Sequence, residues 1–404
     1  MKILWVKADF LHPTNRGGQI RTLEMLKWLH RKHEVHYAGM AEPGETEGPE
    51  RAGEYSSRHW VVRHSAPNRR SPRFLPHLLE GLHSSVPVAI SLRKSLEMKE
   101  LISRLVGETR YDSVVCDFLT PAINLPALNQ AVLFQHNVET MIWRRHAEQA
   151  ANPLARWYFG RQARAMEEFE RSVCRSVRQV IAVSETDAAT MRGQFGLSEV
   201  PWVPTGVDTA YFAPRAGKTP DPKFDSDLLF LGSMDWMPNI DGVRWFVAEI
   251  LPRIQARRPG TRLTICGRRP SPEIERLASG NDGITVTGTV DDVRPYLWGS
   301  RLSIVPLRVG GGTRLKIYEA MAAALPAVST TIGAEGLTYT DGLHLHIADS
   351  PEAFAQRCLD LLQAPGEATA MGEAARALVT EHFSWEGISD RFAAILAEAA
   401  PGIR

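Results

Sequence analysis

The sequence predicts an α/β protein with two doubly wound parallel sheets, and three observations carry that prediction. Short apolar runs recur along the chain, each closing on a glycine-rich or polar turn that opens into an amphipathic helix. The series occurs twice, on either side of a proline-rich stretch at residues 200–214. A chain of 404 residues also exceeds one ordinary core, so two or three domains are expected.

In the first half, residues 3–6 read as a strand. A loop at 9–18 follows, with Pro13, Asn15, Arg16, Gly17 and Gly18, then a helix at 20–30 and a strand at 35–38. Strand, glycine turn, helix, strand is a βαβ unit, which winds right-handed into a parallel sheet. Residues 42–54 are rich in Gly, Pro and Glu and read as a loop, and 60–62 as a strand. From Arg58 to Arg73 there are five arginines and two histidines and no acidic residue. With the leucines that follow, this run suits either a solvated loop and short helix or a rest on an anionic membrane surface. Residues 88–105 read as a helix and 113–116 as a strand with Asp117 at its carboxyl end. A strand at 131–134 runs straight into Gln135, His136 and Asn137. Polar groups at the carboxyl ends of parallel strands are where such sheets contact ligands. A long helix at 153–178, a strand at 179–183 and a helix at 185–193 capped by Ser184 complete this half.

Beyond the prolines, strands read at 228–231, 262–266, 284–287, 302–306 and 327–329. Helices read at 239–258, 271–279, 292–299, 313–324 and 351–363, with a helical tail at 367–400 broken near 383–385. Asp225 and Asp227 have the spacing of a metal-binding pair, but they precede a strand and read as a solvated turn. Asp291 and Asp292 read as a helix N-cap. The expected organisation is an N-terminal Rossmann-like domain at 1–205, a linker at 206–215, a C-terminal Rossmann-like domain at 216–382, and a C-terminal helix at 383–404 returning to the N-terminal domain. Two such domains set their strand carboxyl ends across a central cleft, which suits a two-substrate transferase or a hinged binding protein.

Composition narrows the classes. A hydrophobic content of 44% and a charged content of 23% describe an ordinary globular chain rather than a disordered one. A net charge of +1 offers no global field for nucleic acid. The four cysteines, Cys116, Cys174, Cys266 and Cys358, make neither a metal motif nor a disulfide framework and read as buried thiols. The first apolar run is too short for a secretory leader, and no run reaches the ~18 residues of a membrane span. The expectation is a cytoplasmic protein, at most peripheral at the inner face of a membrane.

One stretch carries the strongest chemical signal. An apolar strand at 302–307 meets Gly310, Gly311 and Gly312, and from Thr313 onward Leu315, Tyr318, Met321 and Ala322 repeat at helical spacing. Strand, glycine loop, helix start presents free backbone N–H groups to an anion. Arg314 and Lys316 stand in the first turn, against the helix dipole, which makes sense if a phosphate supplies the negative charge. Glu319 lies further along, placed to accept from the two hydroxyls of a ribose. An ordinary strand-to-helix turn with surface charges is the alternative.

Five segments then fall in order: 15–19, 135–139, 206–208, 232–239 and 310–321. Together they resemble the retaining, nucleotide-sugar-dependent glycosyltransferases of family four, which have the GT-B fold, over nearly the whole chain. The resemblance implies a nucleoside-diphosphate sugar held by the C-terminal domain, an acceptor on the N-terminal domain, retention of anomeric configuration, and no cofactor or divalent metal. It sets Gly17 and Gly18 near the diphosphate, His136 beside the donor sugar, Glu319 on the ribose and Val290 in the segment that holds the base. Gly310, Gly311, Gly312, Thr313 and Leu315 form the phosphate loop, and Glu335 lines the donor pocket. Two departures stand out. The first of the family's two glutamates falls on Gly311, and no cation stands at 232–239, where many members carry an Arg and a Lys. A departing diphosphate needs positive charge. Arg314 and Lys316, with Arg268 third, are the candidates by charge need. The acceptor is expected to be a glycan, a lipid-linked glycan or a small molecule. The competing readings are a sugar-nucleotide epimerase or phosphorylase on the same fold, and a hinged sugar-nucleotide-binding protein without catalysis.

Overall fold

The computed structural model describes residues 1–14, 17–67, 74, 76–77, 81, 84–150, 152–215, 221–309 and 315–400. The chain divides into two compact units. Unit 1 is Met1–Pro204 together with the chain from Ile388 on, and unit 2 is Thr205–Gly387.

Unit 1 is built on six strands: β1 (Lys2–Lys7), β2 (Glu34–Ala41), β3 (Arg58–Arg63), β4 (Ser113–Asp117), β5 (Ala131–Phe134) and β6 (Gln179–Ile181). They pair in parallel in the order β3-β2-β1-β4-β5-β6. Both faces are covered, which is why β1 and β5 are apolar runs without alternation: Ile3, Leu4, Trp5 and Val6 are all at 0% exposure. Its helices are α1 (Gly17–Lys32), α2 (Leu96–Glu108), α3 (Glu139–Gln149), α4 (Pro153–Ser176) and α5 (Glu185–Phe195). The single helix expected at 88–105 is broken. A four-residue turn, Val88–Ser91, stops, and α2 restarts where Ser95 Oγ accepts from Met98 N. The Ser184 cap is present, its Oγ accepting from Asp187 N.

Unit 2 carries β7 (Ser226–Leu231), β8 (Leu263–Cys266), β9 (Ile284–Gly288), β10 (Ser300–Val305), β11 (Ala327–Ser329) and β12 (His346–Ile347). These also pair in parallel, in the order β12-β11-β10-β7-β8-β9. Its helices are α6 (Met237–Trp245), α7 (Leu251–Arg257), α8 (Pro272–Ser279), α9 (Arg294–Gly299), α10 (Leu315–Ala322), α11 (Pro351–Gln363) and α12 (Pro365–His382). The helix expected at 239–258 contains a π-turn, Phe246–Ile250, between α6 and α7. Pro252 explains it: the residue has no N–H for the carbonyl four back, and its ring needs the wider turn. Helix α13 (Trp385–Ala399) starts in unit 2 and completes unit 1, where Phe392 packs on Trp5 and Phe134 at ring-centroid distances of 5.6 and 4.9 Å.

Three local readings need correction. The stretch 206–215, expected as a linker, packs inside unit 2: Val207 N donates to Phe383 O, and Trp298 Nε1 donates to Ala213 O. Asp227 is buried rather than solvated, accepting from Arg258 Nη1 at 2.7 Å and from Arg262 N at 2.9 Å. The cap position of α9 is Val293, while Asp292 sits one residue earlier and takes Arg294 N at 2.9 Å. The four cysteines are buried free thiols, as expected.

Candidate active site

Strand order reverses beside β1 and β4 in unit 1 and beside β7 and β10 in unit 2. The loops at such switch points diverge and leave a crevice at the strand carboxyl ends. Polar groups gather there in both units.

In unit 1, Lys7 ends β1, Asp117 ends β4 and His136 lies two residues past β5. Asp117 is fully buried and is the hub. Lys7 Nζ is 2.9 Å away, Thr22 Oγ1 donates at 2.8 Å and Trp5 Nε1 at 3.1 Å. His136 Nε2 stands 2.7 Å from Asp117 Oδ1, an oblique contact that is electrostatic rather than a linear hydrogen bond. Burial pushes the Asp117 carboxyl up, but Lys7 and His136 win and hold it below the usual carboxylate range. Burial pushes the His136 imidazole down to about 4 against the pull of Asp117. His136 is therefore neutral at physiological pH.

The loop holding His136 is fixed from below. Glu170 of α4 is buried and accepts from Gln135 Nε2 (2.7 Å), Glu139 N (2.9 Å), Thr140 N (2.8 Å) and Thr140 Oγ1 (2.6 Å). It caps the first turn of α3, which has no side-chain cap of its own. Glu139 nearby is pushed up to about 7 by burial and by the Glu170 charge.

Phe118 joins these pieces. Its φ is +71°, a left-handed conformation that costs a non-glycine residue on the order of 1–3 kcal/mol. Its ring stacks on His136 at 3.9 Å, lies 4.1 Å under Lys7 Nζ, and touches Gly18, where a Cβ would stand 2.6 Å from the ring. Gly18 thus has a packing reason to be glycine. Gly17 opens α1.

In unit 2 the residues at 232–239 carry no cation, yet three reach them from elsewhere: Lys316, Arg268 and Arg269, the last through Asp235 Oδ2 at 3.4 Å. Lys316 Nζ, on α10, donates to Asn239 Oδ1 at 2.9 Å and lies 4.5 Å over the Phe230 ring. A Cβ at Gly232 would stand 2.7 Å from that ammonium. Arg268, after β8, donates through Nε to Ser233 Oγ at 2.8 Å. Asn239 Nδ2 closes the loop by donating to Ser233 O at 2.8 Å. The backbones also meet here: a Cβ at Gly267 would fall 1.8 Å from Gly232 O, so glycine is obligatory at 267.

Glu319 follows Lys316 on α10. Part of its surface is accessible but its carboxyl is enclosed, and burial pushes it up to about 7 with Lys316 opposing. Val290 lies past β9, half-buried against the Leu231 and Leu297 cluster, and Glu335 is exposed in the turn after β11. Gly310, Gly311, Gly312, Thr313 and Arg314 lie outside the described residues. The structure brings Lys316 and Arg268 together on one loop. It also shows what sequence reasoning did not select: Lys7, Asp117 and Glu170, whose partners are distant in sequence. A strand-terminal Asp at 117 was the one visible signal.

Two doubly wound parallel sheets with polar clusters at both switch points make the fold of a two-domain α/β transferase. Residues 15–211 match the family described as Glycosyltransferase Family 4, and residues 225–364 the one described as Glycosyl transferases group 1. The chain belongs to the family-four glycosyltransferases of the GT-B fold, and its activity is sugar transfer. An uncharacterised 44.6 kDa protein in the cps region of Klebsiella pneumoniae is 22% identical over 374 residues, 89% of this chain and 90% of that protein. A GDP-mannose-dependent monoacylated α-(1-6)-phosphatidylinositol monomannoside mannosyltransferase of Corynebacterium glutamicum is 29% identical over 213 residues, 48% of this chain and 55% of that protein. Among solved structures, HepE of Anabaena in complex with UDP is similar in fold, with a TM-score of 0.68 at 11% identity over 98% of this chain and 100% of that one.

Proposed function

We propose that the chain transfers a sugar from a nucleoside-diphosphate donor to a glycan or lipid-linked glycan, with retention of anomeric configuration and without a divalent metal. The observation that carries this reading is the convergence of Lys316 and Arg268 on the loop after β7, at the switch point of unit 2. Leaving-group diphosphate carries two or three negative charges, and fixed cations are what a metal-free site offers it. Glu319, one turn beyond Lys316, supplies an acceptor for ribose hydroxyls. The named donors and ligands among similar proteins, GDP-mannose and UDP, support a nucleoside diphosphate. The acceptor class rests on a lipid-linked acceptor in one relative's name and the cps region in another's.

In the reaction, bond breaking to the diphosphate oxygen builds negative charge next to Lys316 and Arg268. That oxygen takes the acceptor's proton as the acceptor hydroxyl attacks the same face, so no protein base is needed. His136, held neutral, is not called on as a base.

The test is a thermal-shift and calorimetric screen of UDP, GDP and ADP with excess chelator. One base at about 100 times its dissociation constant is expected to add about 2.7 kcal/mol of stability. Product-anomer NMR with the matching sugar then reads retention. Stabilisation by none of the three, or activity abolished by chelator, sinks the reading.

A further inference from the structure

The first turns of α4 turn apolar side chains into solvent. Leu154 is 75% exposed and Trp157 58%. The helix starts firmly: Pro153 occupies the first turn, where its missing N–H is no loss, and Asn152 Oδ1 accepts from Ala155 N at 2.7 Å. The opposite face is committed to the core. Gln162, Ala163, Ala165 and Met166 are buried, and Gln162 accepts from Val88 N and donates to Gly81 O. The helix therefore cannot roll to hide Leu154 and Trp157.

Basic residues share that exposed face. Leu154, Trp157, Arg161 and Arg164 follow one another at spacings of three, four and three, a single stripe along the helix. Arg156 stands beside it, exposed. Residues 150–166 hold three arginines and no acidic residue. On α3, whose Trp143 and His146 rings face Phe159 of α4, Arg145 and His146 are exposed as well. The first carboxylate along α4, Glu167, is already taken by Arg144 and Arg171. A shallow open groove of about 470 Å³ runs along the stripe, lined by Pro153, Arg156, Trp157, Gly160, Arg161 and Arg164.

We propose that this stripe seats unit 1 on an anionic lipid surface. Leu154 and Trp157 enter the boundary between headgroups and acyl chains, and the arginines meet lipid phosphates. Tryptophan favours that boundary because its ring is apolar and its N–H wet, and an anionic leaflet concentrates nearby basic side chains. A second copy of the chain fits worse, because a two-fold contact through this face sets arginine against arginine. A nucleic acid engages the arginines but leaves Leu154 and Trp157 in water. The proposal uses only unit 1 and stands independently of the donor reading.

The test is co-sedimentation of the full chain with vesicles of phosphatidylcholine, alone or mixed with phosphatidylglycerol. Anionic vesicles are expected to bind about tenfold or more tightly than neutral ones, and added salt to weaken them. Leu154→Ser with Trp157→Ser, and separately Arg156→Gln with Arg164→Gln, each lower vesicle binding by about tenfold. Thermal unfolding of both double variants without vesicles stays at the parent value, since all four side chains face solvent. Absence of binding to anionic vesicles, or binding indifferent to both double variants, overturns the proposal. So does binding lost only on Arg69→Gln with Arg70→Gln, which moves the contact to the Arg58–Arg73 run. A dimer abolished by Trp157→Ser assigns the face to a second copy and overturns it too.

Discussion

Replacing Lys316 by alanine removes the ammonium that holds Asn239 and faces Gly232. In the proposed reaction that charge acts on the departing diphosphate, so turnover is expected to fall about 100-fold, with Arg268→Ala costing less because its guanidinium is shared with Ser233. Steady-state release of nucleoside diphosphate measures both. In unit 1, Asp117→Asn leaves the buried Lys7 without its carboxylate. A buried charge stripped of its partner costs about 3–5 kcal/mol, readable in urea unfolding. His136 gives that stability a pH dependence. The fold keeps it neutral down to about 4, whereas an unfolded histidine protonates near 6.5, so on acidification the unfolded chain takes the proton first. Its contribution is intact above about pH 6.5 and is lost as pH falls toward 4, and His136→Asn should flatten the curve in that window. Glu319 acts with the opposite sign. Its raised carboxyl favours the fold below the ordinary glutamate value, a contribution lost as pH rises through about 7. These roles were unevenly legible in the sequence. Lys316 is legible as the cation that answers a phosphate. Asp117 and Lys7 are not, because one aspartate at a strand end and one lysine at another mean nothing until the sheet sets them 2.9 Å apart.

Elements show the same division. Apolar runs bounded by glycine, proline or a capping serine predict strands and helices well, because burial on both faces leaves parallel strands few polar positions. Thus β7, β8, β10 and β11 were readable, and the break at 383–385 separates α12 from α13 as expected. Two-residue β12 was not, since a pair of residues has no period. Nor was the π-turn before Pro252, which is a compromise between a helix and a missing donor. Glu170 matters at this scale because it is an end-cap supplied by a neighbouring helix. Glu170→Ala strands the Glu139 and Thr140 amides and the Gln135 side chain, and each stranded buried donor costs about 1–3 kcal/mol. A loss of about 3 kcal/mol or more is expected in urea unfolding, with turnover falling further than stability alone explains as the His136 loop relaxes. Gly267→Ala is a cleaner probe of unit 2. Its Cβ meets the Gly232 carbonyl, a backbone atom, so the ends of β7 and β8 must part. Weaker nucleotide binding, measured by calorimetry, follows as the seat of Lys316 and Arg268 shifts.

Across the whole molecule, unit 1 is assembled from two separate lengths of chain and unit 2 from one. Ile388, Phe392 and Leu396 of α13 are at 2% exposure or less, so the unit 1 core is incomplete without them. A chain ending before Trp385 is expected to expose that surface and to aggregate on expression, whereas cutting after Ala399 leaves the melting temperature unchanged. That division also sets an order of events on the ribosome. Unit 2, though encoded second, is contiguous and can close as soon as its own residues have emerged. Unit 1, begun before unit 2, must wait with one patch of its sheet uncovered until α13 leaves the exit tunnel. It is therefore started before unit 2 and finished after it.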